Sequence, residues 1–242
     1  MNLTLDIHIH TVASTHAYST VSENAAYAAK VGLTHIGMAD HGPAMPDGAH
    51  FYHFGNIYCL PEIINGVRVL KGAEVNIIDH EGGVDLPRKE RERLDFVIAS
   101  LHRGVLPPAT SELNTRAMVK VMEKRAVHIL GHPNNASYEV DIQAIVKAAA
   151  KTKTIIEINN QSLNPGSIRY EGTKPMEELL RLCKEHSVNI LLSSDAHFCT
   201  SVGNFSNVLP LVKASGIPED LIVNTSAEKL FAAINAKKEL MT

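Results

Sequence analysis

Seven short runs rich in branched apolar residues punctuate this chain, and segments with helical spacing separate them. The runs are Leu3 to His10, His35 to Asp40, Val67 to Val75, Asp95 to Leu101, Val127 to Gly131, Thr154 to Asn159 and Asn189 to Ser193, with a weaker eighth at Leu221 to Asn224. An alanine-rich helix is expected from Ser22-Glu23 to a stop at Gly32. Helical spacing recurs over Thr115 to Arg125, Asp141 to Lys151, Pro175 to His186 and Ser226 to Lys238. Asp141 and Ser226 are N-cap residue types, and glycine is the usual helix stop. Such alternation implies a parallel sheet with crossover helices. Seven or eight strands in 242 residues predict a closed or distorted (β/α) barrel, with a doubly wound open sheet as the competitor. No linker, low-complexity tract or internal repeat divides the chain, so residues 1–242 are expected to form one domain.

The composition, 45% hydrophobic and 20% charged, is enough for one large core. A formal charge of −3 gives no basic surface for long nucleic acid. Thirteen histidines against no tryptophan is a lopsided mix that points to metal or acid–base chemistry. Cys59, Cys183 and Cys199 are scattered without a Cys-x-x-Cys pair, so neither a disulfide framework nor a thiolate zinc site is expected. No signal-peptide pattern opens the sequence and no apolar run is long enough to span a bilayer, so the expected location is the cytoplasm, with no membrane partner.

In both α/β architectures, sites form beyond the carboxyl ends of the strands. His8 and His10 stand there on the first strand, on one side because they are two residues apart, and His16 follows. Later strand ends deliver Asp40-His41-Gly42, Gly72-Ala73-Glu74, Ser100-Leu101-His102, Gly131-His132-Pro133, Glu157-Ile158-Asn159-Asn160 and Ser193-Ser194-Asp195-Ala196-His197. Each has an ordinary explanation alone; the joint pattern points to metal. Seven histidines and two carboxylates exceed the roughly four ligands of one zinc ion and suit two or three ions sharing a carboxylate.

Asp-x-His-x-His-Thr, Asp-His-Gly, Gly-x-Glu, a strand-end His, Gly-His-Pro and Ser-Asp-x-His, in that order from Asp6 to His197, resemble the polymerase and histidinol phosphatase superfamily, the PHP domain. Val12-Ala13-Ser14-Thr15-His16-Ala17-Tyr18-Ser19-Thr20 resembles the small stand-alone bacterial PHP phosphatases more closely still. The resemblance implies an α/β fold, a distorted (β/α)7 barrel of the PHP type. It also implies a trinuclear centre of divalent ions, zinc in the usual case, with manganese or iron as alternatives. Carried over residue by residue, His8, His10, Glu74 and Asp195 would hold the first ion. Glu74 would bridge to a second held by His102 and His132, and His16, His41 and His197 would hold the third. Ala39 and Asn134 depart from the residues common in the family at those positions, without touching a ligand.

Glu74 and Asp195 are expected to be central to catalysis. Asp40 either orients a ligand imidazole, which would tie it to catalysis too, or caps its own turn. Three divalent ions opposed by two carboxylates leave a strongly positive site, which favours a highly charged anion. A small phosphate monoester is the expected substrate, hydrolysed by a metal-bound hydroxide attacking phosphorus in line. Arg103 and Arg169 are candidate phosphate clamps, and Asn159, Asn160 and Ser162 candidate donors to substrate oxygens. Of the other histidines, His35 and His128 read as structural and His80 and His186 as solvated. His50 and His53 read as loop residues, with substrate contact as the alternative. The competing functions are a phosphodiesterase or nuclease on short nucleotides, a histidinol-phosphate phosphatase, and a non-catalytic metal-binding regulatory module. An amidohydrolase would typically use a bridging lysine in place of Gly-x-Glu.

Overall fold

Every residue of the first strand, β1 (Leu5–Ile9), is buried, as in a strand covered on both faces. The computed structural model describes residues 1–170 and 172–240. After β1 come α1 (Val21–Lys30), β2 (His35–Met38), α2 (Phe51–Asn56), β3 (Ile63–Ile64), β4 (Val67–Lys71), β5 (Glu74–Asn76), α3 (Arg88–Arg91) and β6 (Ile98–Ser100). The second half supplies α4 (Ser111–Met122), β7 (Ile129–Leu130), α5 (Ile142–Thr152), β8 (Ile155–Asn159), α6 (Lys174–Glu185), β9 (Ile190–Ser193), α7 (Leu209–Ser215) and α8 (Ala227–Leu240). Short polar side chains start the helices: Thr20 and Glu23 form a reciprocal capping box on α1, and Asp141 caps α5.

The strands form two sheets, ordered β1-β2-β4-β3 and β5-β6-β7-β8-β9. All pairings are parallel except that of β3 with β4. The expected single strand from Val67 to Val75 is therefore two strands in different sheets. Its break falls at Gly72, where a Cβ would collide with the buried ring of Phe96. Isolated parallel bridges join the two sheets, His41 with Glu74 on one side and Ile9 with Ala196 on the other. The continuous closed ladder expected of a barrel is thus interrupted at two seams.

The run from Leu221 to Asn224 is not a strand but two short 3₁₀ turns. Its polar residue takes over at the seam between β1 and β9. The Asn224 side-chain amide donates to Leu5 O (3.0 Å) and Leu192 O (2.7 Å), and its oxygen accepts from Leu192 N (2.7 Å). Asp6 reaches across the same seam to accept from Gly203 N at 2.9 Å.

Pairing of β1 with β2 slips between Asp6 and Ile9. Such a bulge re-aims side chains. Below the slip, odd-numbered Leu5 and Ile7 pack into an interior cluster with Phe96, Ile98, Ile129 and Leu191. Above it, His8 and His10 turn inward while Ile9 packs with Ala25 and Ala28 of α1. Leu230, Ala233 and Ile234 of α8 join the interior cluster and plug the end opposite the histidines.

On the same helix, Lys237 is fully buried. Its ammonium donates to Met122 O (2.7 Å), Thr152 O (3.4 Å) and Thr154 Oγ1 (2.6 Å). Met122 and Thr152 end α4 and α5, so one cation serves the orphan carbonyls of two helices. Lys237→Met should lower stability in urea by about 1–3 kcal/mol, because the acceptors lose their donor. Burial pushes the Lys237 pKa from 10.5 down to about 7. Between those values the unfolded chain binds more protons than the folded one, so this lysine makes stability rise with pH across that window. Urea titrations at several pH values should show that rise in the wild type and its loss in Lys237→Met.

Candidate metal centre

Glu74 opens β5 beside the seam, 1% exposed, and faces five imidazoles. Its Oε2 lies 2.8 Å from His41 Nδ1, 3.4 Å from His8 Nε2 and 3.7 Å from His10 Nε2. Its Oε1 lies 3.1 Å from His132 Nε2 and 3.4 Å from His102 Nε2. Asp195 enters from the loop after β9, with Oδ1 at 3.1 Å from His10 Nε2 and 3.6 Å from both His8 Nε2 and His197 Nδ1. His16 closes the group, its Nε2 at 2.9 Å from His197 Nε2. All nine residues expected as ligands therefore gather in one basin at the carboxyl ends of the strands.

Their grouping differs from the expected partition at His10, which also falls with His41 and His197, and at His41. Three sets bring ligand atoms within 4.8 Å of one another: His8, His10 and Glu74; His41, Glu74 and His102; and His10, His41 and His197. His41, expected only beside His16 and His197, also belongs with Glu74. The short bridge between His41 and Glu74 backbones explains it, since it brings the two side chains onto one edge.

The donors suit divalent cations. His8 Nε2, His41 Nδ1 and Glu74 Oε2 are buried without a hydrogen-bond partner. Buried polar atoms are rarely left so, and imidazole nitrogen with carboxylate oxygen is a donor set for zinc, manganese or iron. For Glu74, Asp195, His10 and His102, protonation leans the same way. Burial opposes ionisation of Glu74, but His8, His102 and His41 outweigh it and hold its pKa well below the usual range. Burial likewise opposes the charge on Asp195, and Arg169 and His8 outweigh it. Burial, reinforced by His41, lowers His10 to about 3, and burial lowers His102 to about 4. Burial would also lower His8 and His41, but neighbouring carboxylates, Glu157 foremost for His8 and Glu74 for His41, raise both instead. Ionised carboxylates and neutral imidazoles are the forms that bind metal. His132 and Asp195 also sit at positive φ, 25° and 52°, a costly backbone setting that clusters at functional sites.

Three of the candidate ligand imidazoles, those of His8, His102 and His16, are each aimed by a partner on the far nitrogen. His8 Nδ1 donates to Glu157 in a short contact, and Glu157 also accepts from Ser193 Oγ (2.6 Å) and His132 N (2.7 Å). His102 Nδ1 pairs with Asn76 Oδ1 at 2.7 Å, and His16 Nδ1 with Asp47 Oδ2 at 2.6 Å. Sequence reasoning missed these three as site residues. A signal existed for Glu157, a carboxylate inside the apolar run of β8. None marked Asp47, which sits in an irregular loop.

Asp40 does not orient a ligand imidazole. It accepts from Thr11 N (2.7 Å), Thr11 Oγ1 (2.8 Å) and Ser14 Oγ (2.8 Å), and the imidazole it faces is His53, at 3.3 Å. It braces the loop that carries His16, so its expected place among the catalytic residues becomes a positioning one. Arg169 makes a short contact with Asp195 Oδ2, and Asn159 Nδ2 donates to the same oxygen at 3.1 Å. Asn159 thus positions a carboxylate instead of facing the cleft. Asn160 accepts from Asn207 N at 2.9 Å and serves the scaffold, and Ser162 is buried away from the cleft. Arg103 and Arg169 do line the cleft, a cavity of about 280 Å³ that also exposes His16, His41, His102 and His197.

The sequence pattern described as the PHP domain matches residues 6–163. A probable phosphatase of Clostridium novyi (strain NT) is 43% identical over 241 residues, covering 99% of this chain and 98% of that protein. A probable phosphatase of Thermoanaerobacter sp. (strain X514) is 44% identical over 243 residues, covering 98% and 97%. Among solved structures, the histidinol phosphate phosphatase of Lactococcus lactis subsp. lactis, complexed with zinc, L-histidinol and phosphate, shares the fold. Its TM-score is 0.59 at 17% identity, over 89% of this chain and 94% of that one.

Glu157→Gln keeps the shape of the side chain but removes the charge that faces His8. Losing such a partner typically costs about 10–100-fold in metal affinity or activity. Metal content after dialysis and circular dichroism of the variant should show that loss with the fold intact.

Proposed function

The chain belongs to the PHP domain family, and from that membership we propose that it is a metal-dependent phosphatase hydrolysing small phosphate monoesters at a centre of three divalent ions. The observation that carries this reading is the buried Glu74 carboxylate with five imidazoles around its two oxygens. The near-full-length relatives named probable phosphatases support the activity. We read the two sheets as arcs of one distorted (β/α)7 barrel, since the bridges at both seams continue the strand order around the ring.

His8, His10, Glu74 and Asp195 would hold the first ion, and Glu74, His102 and His132 the second. His16, His41 and His197 would hold the third, with His41 close enough to Glu74 to couple it to the second. Zinc fits the mixed imidazole and carboxylate donors, and manganese and iron use the same ones. Bound ions would supply Lewis-acid charge and lower the pKa of a coordinated water to about 7.

The chain's own residues do the rest. Arg169 and Arg103 present guanidinium groups to the cleft and bind phosphoryl oxygens. Asp195 holds Arg169 in place through Oδ2 while its Oδ1 faces the imidazoles. Asn159 fixes the same carboxylate from the other side. Met45, Leu101 and Ile168 on the walls of the small cleft limit water around the reacting group.

Metal-loaded protein should hydrolyse p-nitrophenyl phosphate, with zinc, manganese and iron tried in turn and metal content measured on the same preparation. Glu74→Gln should lose two ions together and lower kcat by about a hundredfold or more, while His16→Ala should lose mainly one ion. A measured content of one ion per chain at most would refute the trinuclear centre. Full metal content without hydrolysis of any phosphate ester would refute the phosphatase reading.

A further inference from the structure

Two cavities border the metal basin, and His16, Arg169, Asp195 and His197 line both. One is the cleft of about 280 Å³ that also holds Arg103. The other, of about 420 Å³, adds Tyr18, Phe198, Gln161 and Asn164. Apart from the histidines, Arg169 is the only cation and Asp195 the only carboxylate among the described residues lining this second cavity, and they pair with each other. The two guanidinium groups of the first cavity suit a phosphoryl group. The second cavity offers no further charge and suits an uncharged group, because an ion there would lack an opposite partner.

Tyr18 and Phe198 are 71% and 50% exposed. A single exposed ring is ordinary, but these two line one cavity beside the candidate metal centre. Their loops are tied together: Tyr18 N donates to His197 O at 2.8 Å, and Cys199 N donates to Ser19 Oγ at 2.9 Å. Tyr18 follows His16 by two residues and Phe198 follows His197 directly, so the backbone that places two candidate ligands also places both rings. The polar wall comes from the turns after β8. Gln161 Oε1 accepts from Asn164 Nδ2 at 3.1 Å, and Asn164 Oδ1 accepts from Gly166 N at 3.1 Å. With both amide oxygens engaged, Gln161 Nε2 is left as the donor that this side chain can offer the cavity.

Resting on the phosphatase reading, we propose that the second cavity is the leaving-group subsite and that it selects a monoester whose alcohol carries a flat, uncharged ring with a hydrogen-bond acceptor on its edge. Tyr18 and Phe198 contact the ring, Gln161 Nε2 donates to the acceptor, and Arg169, common to both cavities, keeps the phosphoryl group at the junction. Aromatic side chains pair favourably with another ring, by stacking or edge to face, beyond the gain from buried area. A sugar is served less well, because its hydroxyls donate as well as accept and the amide oxygens of the wall are already engaged. The cavity is within the size range of small-molecule sites. Tyr18, Phe198 and Gln161 are thus specificity residues, distinct from the nine candidate ligands.

The experiment compares benzyl phosphate with cyclohexylmethyl phosphate on metal-loaded protein, two esters with the same linkage that differ in whether the ring is flat. The wild type should show a kcat/KM about tenfold higher for benzyl phosphate. Tyr18→Leu with Phe198→Leu should bring that ratio close to one. Of the three pyridylmethyl phosphates, at least one should exceed benzyl phosphate by about three- to tenfold in the wild type, and Gln161→Leu should abolish that gain. Calorimetry with benzylphosphonate and cyclohexylmethylphosphonate, which are not hydrolysed, should show the same preference for the flat ring in Kd. Equal kcat/KM for the benzyl and cyclohexylmethyl esters in the wild type overturns the proposal and leaves the phosphatase reading standing, whether or not the variants fold. A benzyl preference that persists undiminished in the double variant overturns it as well. If fully metal-loaded protein hydrolyses no ester, the phosphatase reading falls; the phosphonates then decide the ring preference of the cavity, and equal Kd values overturn it.

Discussion

A carboxylate buried among imidazoles is the constraint around which this molecule is arranged. Glu74 is 1% exposed, and an ionised group so placed is tolerated only where opposite charge or strong donors surround it. The fold brings them from four other strand ends. The backbone at Glu74 is itself part of a seam: Gly42 N donates to Glu74 O at 2.8 Å, and Glu74 N donates to Asp40 O at 3.1 Å. The junction of the two sheets and the centre of the site are therefore one piece of chain. Moving Glu74 would disturb sheet and ligand set together.

A second layer makes the first usable. An imidazole with a free far nitrogen can rotate or change tautomer, whereas one tied to a carboxylate or amide presents a fixed nitrogen to the basin. Glu157 does this for His8 and also receives His132 N, so a single buried carboxylate positions two candidate ligands. Asp40 works one step further out. It ties Thr11 and Ser14, and Ser14 Oγ accepts from His41 N at 3.0 Å. The polar core at this end is thus a connected network that surrounds the unpartnered atoms of the basin.

Much of this was legible in the sequence, for identifiable reasons. Alternating apolar runs and helical segments gave the order of elements, and residues at strand ends gave the nine candidate ligands, because both depend on local periodicity. The split at Gly72 was not legible: nothing nearby in sequence reveals that Phe96, distant along the chain, occupies the space a side chain would need. The Leu221 to Asn224 run misled for a similar reason. Its apolar pattern suits a strand, yet Asn224 bonds to β1 and β9 through its side chain, which propensity does not register. Asp47, Asn76 and the true partners of Asp40 were hidden because each acts across the fold on a residue distant in sequence.

The bulge in β1 shows how stability and chemistry share one strand. A strand of strict alternation could present Leu5, Ile7 and Ile9 to the interior, or Asp6, His8 and His10, but not apolar residues at one end and histidines at the other. The slip between Asp6 and Ile9 permits both. Below it the interior is sealed by Leu5, Ile7 and the α8 plug; above it the same interior is lined by imidazoles. The costs of the polar end, with positive φ at His132 and Asp195 and buried unpartnered nitrogens, are borne by the packed end, where Lys237 locks α8 to the last carbonyls of α4 and α5. The division runs along the strand axis, which is why the candidate metal centre can hold strained and charged groups without loosening the fold beneath it.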